Sequence, residues 1–413
     1  MAQARLHPRF AEPRLLEALA DTPVVLIHGP RQCGKTTLAQ QVGARAGYAY
    51  RSFDDKDTLA AAKADGTGFV HDLPEKVILD EVQRVPELFS TIKLAVDRNR
   101  VPGRFLMTGS ANVLLAPKLS DSLAGRIEIQ QLHPLAQSEI AGRPPKFLKM
   151  LFDGRFEMKP RPRLGRELAN RIAYGGYPAA LAREPGRRAA WYRGYVETMV
   201  QRDVRDLARI ASLDALPRLL KLAAAQSGRL VNISELGGPL ELSRPTIRDY
   251  VTLLKGIFLL DELPPWHSNR LSRLVKTPKL HLGDTGVACA LLDRDAAALW
   301  EDRALLGQML ETFVYQELRR QASWREDEIR FHHFRDRDNF EVDLVLERGS
   351  GDLAGVEVKA AASVTAADFR GLRKLKEAAG KRFKAGIVLY DGEAALPFGA
   401  GFQAVPLPEL WSA

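Results

Sequence analysis

Cysteine is nearly missing from this chain of 413 residues: Cys33 and Cys289 are the only two. They stand far apart, so neither a disulfide framework nor a cysteine-built zinc cluster can form, and the usage suits a reducing, cytoplasmic setting. Long apolar runs are missing too. No stretch approaches the roughly 18 consecutive apolar residues of a membrane helix, so no membrane association is expected. Residues 1–10 hold Arg5, His7, Pro8 and Arg9 without an apolar core, which argues against a secretory signal. Tandem repeats and low-complexity blocks are absent as well. A hydrophobic fraction of 46% beside 27% charged residues excludes fibrous and wholly disordered chains. The balance of 60 basic against 51 acidic residues leaves +9, which permits a polyanionic partner such as nucleic acid without demanding one. The length allows two to four domains at one per roughly 100–200 residues.

What is present begins with a phosphate-binding pattern. Val24 to Ile27 is a short apolar run that reads as a buried strand. It leads into Gly29-Pro30-Arg31-Gln32-Cys33-Gly34-Lys35-Thr36, and Thr37 to Val42 then looks helical. Strand, G-x-x-x-x-G-K-T and helix together are the context of a phosphate loop. Its backbone N–H groups and the helix N-terminus close around phosphate oxygens. Lys35 is placed for the β- and γ-phosphates of ATP, Thr36 for Mg²⁺, and Thr37 for the cofactor.

A second apolar strand, Val77 to Leu79, ends in Asp80 and Glu81. Asp80 is expected to hold Mg²⁺, and Glu81 to orient or deprotonate the attacking water. A third strand, Arg104 to Met107, runs into Thr108-Gly109-Ser110. Ser110 either contacts the γ-phosphate or water, or belongs to a plain strand-to-helix turn. Leu123-Ala124-Gly125-Arg126 precedes one more strand, Ile127 to Ile129. By spacing alone Arg126 reads as a solvated arginine.

These segments together resemble the AAA+ branch of the P-loop ATPases. More narrowly they resemble a prokaryotic family with G-P-R-Q-x-G-K-T, L-D-E-V-Q, T-G-S, L-x-G-R and P-L-x-x-x-E motifs, here at Gly29 to Thr36, Leu79 to Gln83, Thr108 to Ser110, Leu123 to Arg126 and Pro134 to Glu139. The resemblance spans essentially the whole chain. It implies ATP binding, an arginine-finger role for Arg126, and a homo-oligomer. It does not say what the ATPase works on.

The middle of the chain is less explicit. Gly142 to Arg166, rich in Pro, Lys and Arg, reads as a linker. Residues 167–210 read as helices, with Tyr195 to Leu207 apolar at helical spacing and Arg202-Asp203 and Arg205-Asp206 on a solvated side. From Leu216 the order looks like a winged helix. One helix spans Leu216 to Ala225, and a short one opens at Ile233. A third is capped by Ser243 and buries Ile247, Val251 and Leu254. Its outer face offers Arg244, Thr246, Arg248 and Lys255. Strands at 259–263 and 278–282 flank a stretch holding Arg270, Arg273 and Lys276. Such a module docks on DNA or serves as a protein-packing unit.

The last region carries a second constellation. A helix over Gly307 to Arg320 bears Glu311, and the strand Phe340 to Leu346 bears Asp343. The strand Ala354 to Lys359 bears Glu357 and Lys359 on one face. Asp343 followed by Glu357-x-Lys359 fits the PD-(D/E)xK nuclease pattern, with Glu311 as the upstream carboxylate. Glu311, Asp343 and Glu357 are the expected Mg²⁺ ligands, and Lys359 the group that positions or deprotonates water. His332 and His333 are assigned no role.

The expected architecture is α/β: an AAA+ domain over 1–145, a linker and helical region over 146–210, a winged-helix domain over 211–285 and a nuclease-like α/β domain over 286–413. The expected activity is ATP binding and hydrolysis by a protein acting on DNA, with a metal-dependent nuclease-like domain. The alternative is a nucleotide-dependent switch or scaffold whose C-terminal domain binds DNA or protein without cleaving it.

Overall fold

The computed structural model describes residues 6–110, 123–204, 214–268, 277–349 and 351–412. Cα proximity groups the chain into two units, Arg9–Leu135 with Gly256–Phe258, and Ala136–Lys255 with Leu259–Ala413. The three segments drawn after residue 145 therefore pack as parts of one unit.

The first unit is built on five parallel strands: β1 (Val24–His28), β2 (Ala49–Ser52), β3 (Val77–Asp80), β4 (Phe105–Gly109) and β5 (Ile127–Gln131). Their order is β2-β3-β4-β1-β5. Continuous apolar runs explain the arrangement. Every residue of β1, β3 and β4 is buried, as a parallel sheet covered on both faces requires. Phe53, Leu79, Phe89, Ile92 and Phe105 fill the core on one side. Because the strands are parallel, the ends of β1, β3 and β4 open at a single edge. The three sequence motifs that follow those strands are thereby brought together.

The second unit opens with a correction to the expected linker. Phe147–Asp153 is a helix, and its Phe147, Leu148, Leu151 and Phe152 are buried. Prolines and basic residues on either side hide an apolar cluster of helical spacing. Helices Arg166–Tyr174 and Pro185–Met199 follow, and the latter passes into a π-helical turn at Val200–Val204. The rest of the helix expected up to Leu207, with Arg205 and Asp206, lies outside the described residues.

Helices Ala215–Ala225, Ile233–Gly237 and Arg244–Gly256 accompany a small antiparallel sheet of β6 (Arg229–Leu230), β7 (Leu260–Leu263) and β8 (Lys279–Leu282), in the order β6-β8-β7. Ser243 Oγ accepts from Thr246 N–H at 3.3 Å, and Ile247, Val251 and Leu254 are buried. Arg270, Arg273 and Lys276 lie outside the described residues.

Next comes a six-stranded mixed sheet. Helix Arg303–Ala322 leads into β9 (Ile329–Arg335), β10 (Glu341–Arg348) and β11 (Asp352–Lys359), an antiparallel meander. Helix Arg370–Ala379 crosses to β12 (Phe383–Tyr390), parallel to β11. β13 (Leu396–Pro397) and β14 (Phe402–Pro406) complete the edge. Gly371 is required where helix and sheet meet, since a Cβ there would lie 1.8 Å from the Glu341 carbonyl oxygen.

Candidate functional site

The loop after β1 is shaped by two glycines. Gly29 has φ +155°, and a Cβ on it would lie 2.1 Å from Leu132 O. Gly34 has φ +103° and begins helix Lys35–Ala46. Between them Pro30 O accepts from Cys33 N–H at 3.4 Å, Gln32 takes φ +60°, and the Cys33 thiol donates to Leu132 O at 3.3 Å. Lys35 is buried, and its Nζ donates to Gly29 O at 3.0 Å and Pro30 O at 2.9 Å. Thr37, in the first helical turn, is exposed. Arg9 is a residue that sequence reasoning missed. It donates to Cys33 O at 2.6 Å and His133 O at 2.7 Å and so fixes the outside of the loop. No motif marked it, because the partners are backbone carbonyls distant in sequence.

At the end of β3, Asp80 accepts from Thr36 Oγ1 at 2.8 Å and from Tyr50 OH at 2.8 Å, and also from the Thr108 hydroxyl. Thr36 and Asp80 are thus paired directly through a hydrogen bond. Glu81 takes φ +61° and ψ +44°, a conformation that costs a non-glycine residue about 1–2 kcal/mol. Such strain persists where surrounding contacts over-determine the residue. Here the Ser110 hydroxyl and the Gln83 amide donate to its carboxylate, and Arg31 Nη1 lies 3.9 Å away. Burial opposes its ionisation. Lys35, Ser110, Gln83 and Arg31 outweigh that and hold Glu81 below the usual carboxylate range. Ser110 also accepts from Gln83 Nε2 at 3.1 Å, so it is more than a turn residue. Burial, then Lys35, lowers His28 to about 4, so the imidazole at the end of β1 adds no charge at neutral pH.

Arg126 is placed elsewhere. Its carbonyl accepts from Val24 N–H at 3.3 Å, which puts it at the start of β1 rather than the end. The length of β1, roughly 13 Å at about 3.3 Å per residue, separates that edge from the phosphate loop. The guanidinium is engaged by Asp97, at 2.5 Å from Nε and 3.1 Å from Nη2.

The second unit gathers the other constellation. Asp343 lies where β10 bulges against β9. Its Oδ2 accepts from Val358 N–H at 2.9 Å, so the antiparallel pairing of β10 with β11 sets Asp343 beside Glu357. Glu357 pairs with Lys359 at 3.2 Å. Glu311 comes from helix Arg303–Ala322. Two groups that sequence reasoning missed join them: Glu341, two residues before Asp343, and Lys279 from β8. Lys279 Nζ lies 2.9 Å from Glu311 Oε1, 2.7 Å from Glu341 Oε1 and 3.5 Å from Asp343 Oδ1, with its side chain 3% exposed. Burial and Asp343 push Glu311 up to about 8, with Lys279 opposing. Burial and Asp343 likewise raise Glu357 well above the carboxylate range. Lys279 stays charged, because the three carboxylates raise it by more than burial lowers it. Lys279 gave no signal, since Pro278-Lys279-Leu280-His281-Leu282 reads only as a short strand. Lys279, Glu311, Glu341, Asp343 and Glu357 line a cavity of about 930 Å³ together with Arg229, Arg244, Arg248 and Arg335.

Comparison with known proteins bears on the domain that holds the first of these sites. Residues 21–141 match a family model described as an AAA domain. Residues 165–298 and 306–410 match two described as domains of unknown function, DUF8612 and DUF4143. The chain is 31% identical over 409 residues to the uncharacterized protein Rv2008c of Mycobacterium tuberculosis, covering 98% of this chain and 85% of that one. The uncharacterized protein Mb2031c of Mycobacterium bovis matches to the same extent. The chain belongs to their family. Its residues 21–141 are an AAA-type ATPase domain, which supports ATP binding and hydrolysis. Among solved structures, a Walker-type ATPase of Pyrococcus abyssi is 16% identical, covering 70% of this chain and 99% of that one, with a TM-score of 0.40. The ORC2 protein of Aeropyrum pernix is 17% identical over 74% of this chain and 97% of its own, with a TM-score of 0.34. Nothing further follows from likenesses this slight. Among the described residues, no helix is long and apolar enough to cross a membrane.

Proposed function

We propose that this AAA ATPase uses ATP to act on DNA, and that its C-terminal domain has a nuclease-like fold that grips DNA without cutting it. The observation that carries the proposal is the cavity that Arg229, Arg244, Arg248 and Arg335 line together with the carboxylates. Guanidinium groups gathered in one cavity are suited to phosphate oxygens. Arg244 and Arg248 are exposed on the helix that a winged-helix reading places against DNA. The order of elements supports both assignments. Helix, short strand, two helices and two strands match a winged helix. Helix, three antiparallel strands, helix and a parallel strand match the nuclease pattern that Asp343, Glu357 and Lys359 suggest.

In the AAA domain the residues fit Mg²⁺–ATP, because Thr36 and Asp80 supply paired oxygen donors next to a cradle that no Cβ can enter at Gly29. Mg²⁺ there supplies charge neutralisation for the phosphates. Lys35 leaves the Gly29 and Pro30 carbonyls for phosphate oxygens. Glu81, already ionised, takes the proton of the attacking water, and Ser110 with Gln83 orients it. Arg126 stands too far along β1 to reach the phosphates of its own loop. Its finger role therefore belongs to the nucleotide of a neighbouring copy in a homo-oligomer.

The test is anisotropy of labelled duplex and single-stranded DNA across a salt series, for the wild type and for Arg244→Glu with Arg248→Glu. Each lost phosphate contact flattens the salt slope by about 1. The expected result is binding at least about tenfold weaker in the double variant, with intact DNA after incubation in Mg²⁺ or Mn²⁺. Unchanged affinity contradicts the DNA reading. Cleavage that Asp343→Ala abolishes restores a nuclease.

A further inference from the structure

The nuclease pattern implies a divalent cation among Glu311, Asp343 and Glu357, and the residues present do not fit one. Mg²⁺ needs oxygens at about 2.0–2.1 Å in a near-octahedral shell. Among the described residues, no group of three or more His, Cys, Asp or Glu side chains is placed to hold a metal ion. We propose that Lys279 is the resident cation of this cluster, so that the C-terminal domain carries a protein ammonium where a cutting enzyme carries metal. This rests on the reading of the domain as nuclease-like and deepens it.

Three carboxyl groups surround the ammonium. An ammonium has three donors. Lys279 finds Glu311, Glu341 and Asp343 at 2.9, 2.7 and 3.5 Å. The two shorter distances are those of ammonium–carboxylate hydrogen bonds, and Asp343 adds its charge at longer range. Asp343 is engaged at both oxygens, by Lys279 on one side and Val358 N–H on the other. Glu357 is answered by Lys359. A divalent ion entering here would meet a buried like charge within the same group of carboxylates, and repulsion at such separation in a low-dielectric interior is large.

The origin of the lysine matters as much as its position. β8 belongs to the three-stranded sheet, whereas Glu341 and Asp343 belong to the six-stranded one. The ammonium therefore joins two sheets, and backbone bonds between the residues after β7 and β9 reinforce the junction. Trp266 N–H donates to His333 O at 2.6 Å, and His333 N–H donates to Pro264 O at 2.9 Å. The consequence is that the two sheets lining the cavity are tied together at its floor.

The experiment counts Mn²⁺ ions bound to the nucleotide-free full chain by electron paramagnetic resonance. The wild type and Asp343→Asn are expected to bind the same number. Lys279→Met is expected to bind one more per chain, and Lys279→Met with Asp343→Asn to lose it. A wild-type ion that Asp343→Asn removes overturns the proposal, as does a folded Lys279→Met that gains none. Should Lys279→Met fail to fold, the comparison of wild type with Asp343→Asn still decides. DNA binding is not read here, so a failed ion count leaves the DNA-gripping reading standing, and failed DNA binding leaves the resident lysine standing.

Discussion

Among the described residues, two buried lysines lie near carboxylates, one in each unit, and their surroundings are opposite. Lys35 hydrogen-bonds two neutral backbone carbonyls of its own loop. An arriving polyphosphate offers it charged oxygens in exchange, which are stronger acceptors. Lys279 already lies among three carboxyl side chains, Glu311, Glu341 and Asp343. Nothing that enters the second site offers it more, and withdrawing it would strand buried negative charge. The same side chain is thus a ligand group in one setting and a fixture in the other. The difference is made by what surrounds the ammonium, which a motif search for lysine does not register.

The comparison is sharpened first at the nucleotide centre, where the largest effect is expected. Glu81→Gln should lower ATP turnover by about 10²–10⁴-fold while ATP affinity holds, read by phosphate release beside nucleotide titration. Full turnover would remove Glu81 from its role as base. Lys35→Ala deletes charge-assisted bonds of about 1.5–3 kcal/mol each, so ATP affinity should fall by about 10²-fold or more in calorimetric titration. Unchanged affinity would erase the contrast between the two lysines. The smallest effect is expected of Arg126→Ala. Its ATP affinity should stay within about twofold of wild type, because Asp97 rather than nucleotide holds the side chain. Its turnover should fall only at concentrations where copies associate, and mixing with Glu81→Gln chains should restore part of it. A loss of turnover in dilute single chains would contradict the placement of Arg126 along β1.

The nucleotide site was legible in the sequence because its chemistry is local. Gly29 to Thr36 carry their own backbone geometry, and buried parallel strands announce themselves as apolar runs that end at one edge. Asp343, Glu357 and Lys359 were legible for a related reason: adjacent antiparallel strands and period-2 alternation bring them together. Lys279 was not legible, because a strand of another sheet delivers it. Arg9 was hidden likewise, since it grips carbonyls rather than side chains. The helix Phe147–Asp153 was masked by the prolines and basic residues around it, and the edge strand β13, two residues long, was too short to show a period. For Arg126 the motif was visible, but which end of β1 it stands beside depends on strand pairing.

The most direct measurement is a Mn²⁺ titration of the full chain with and without ATP. The account predicts one ion per chain that appears only with nucleotide and disappears in Lys35→Ala. An ion that binds without nucleotide and is lost in Asp343→Asn would contradict it, and would make the second centre a metal site like the first.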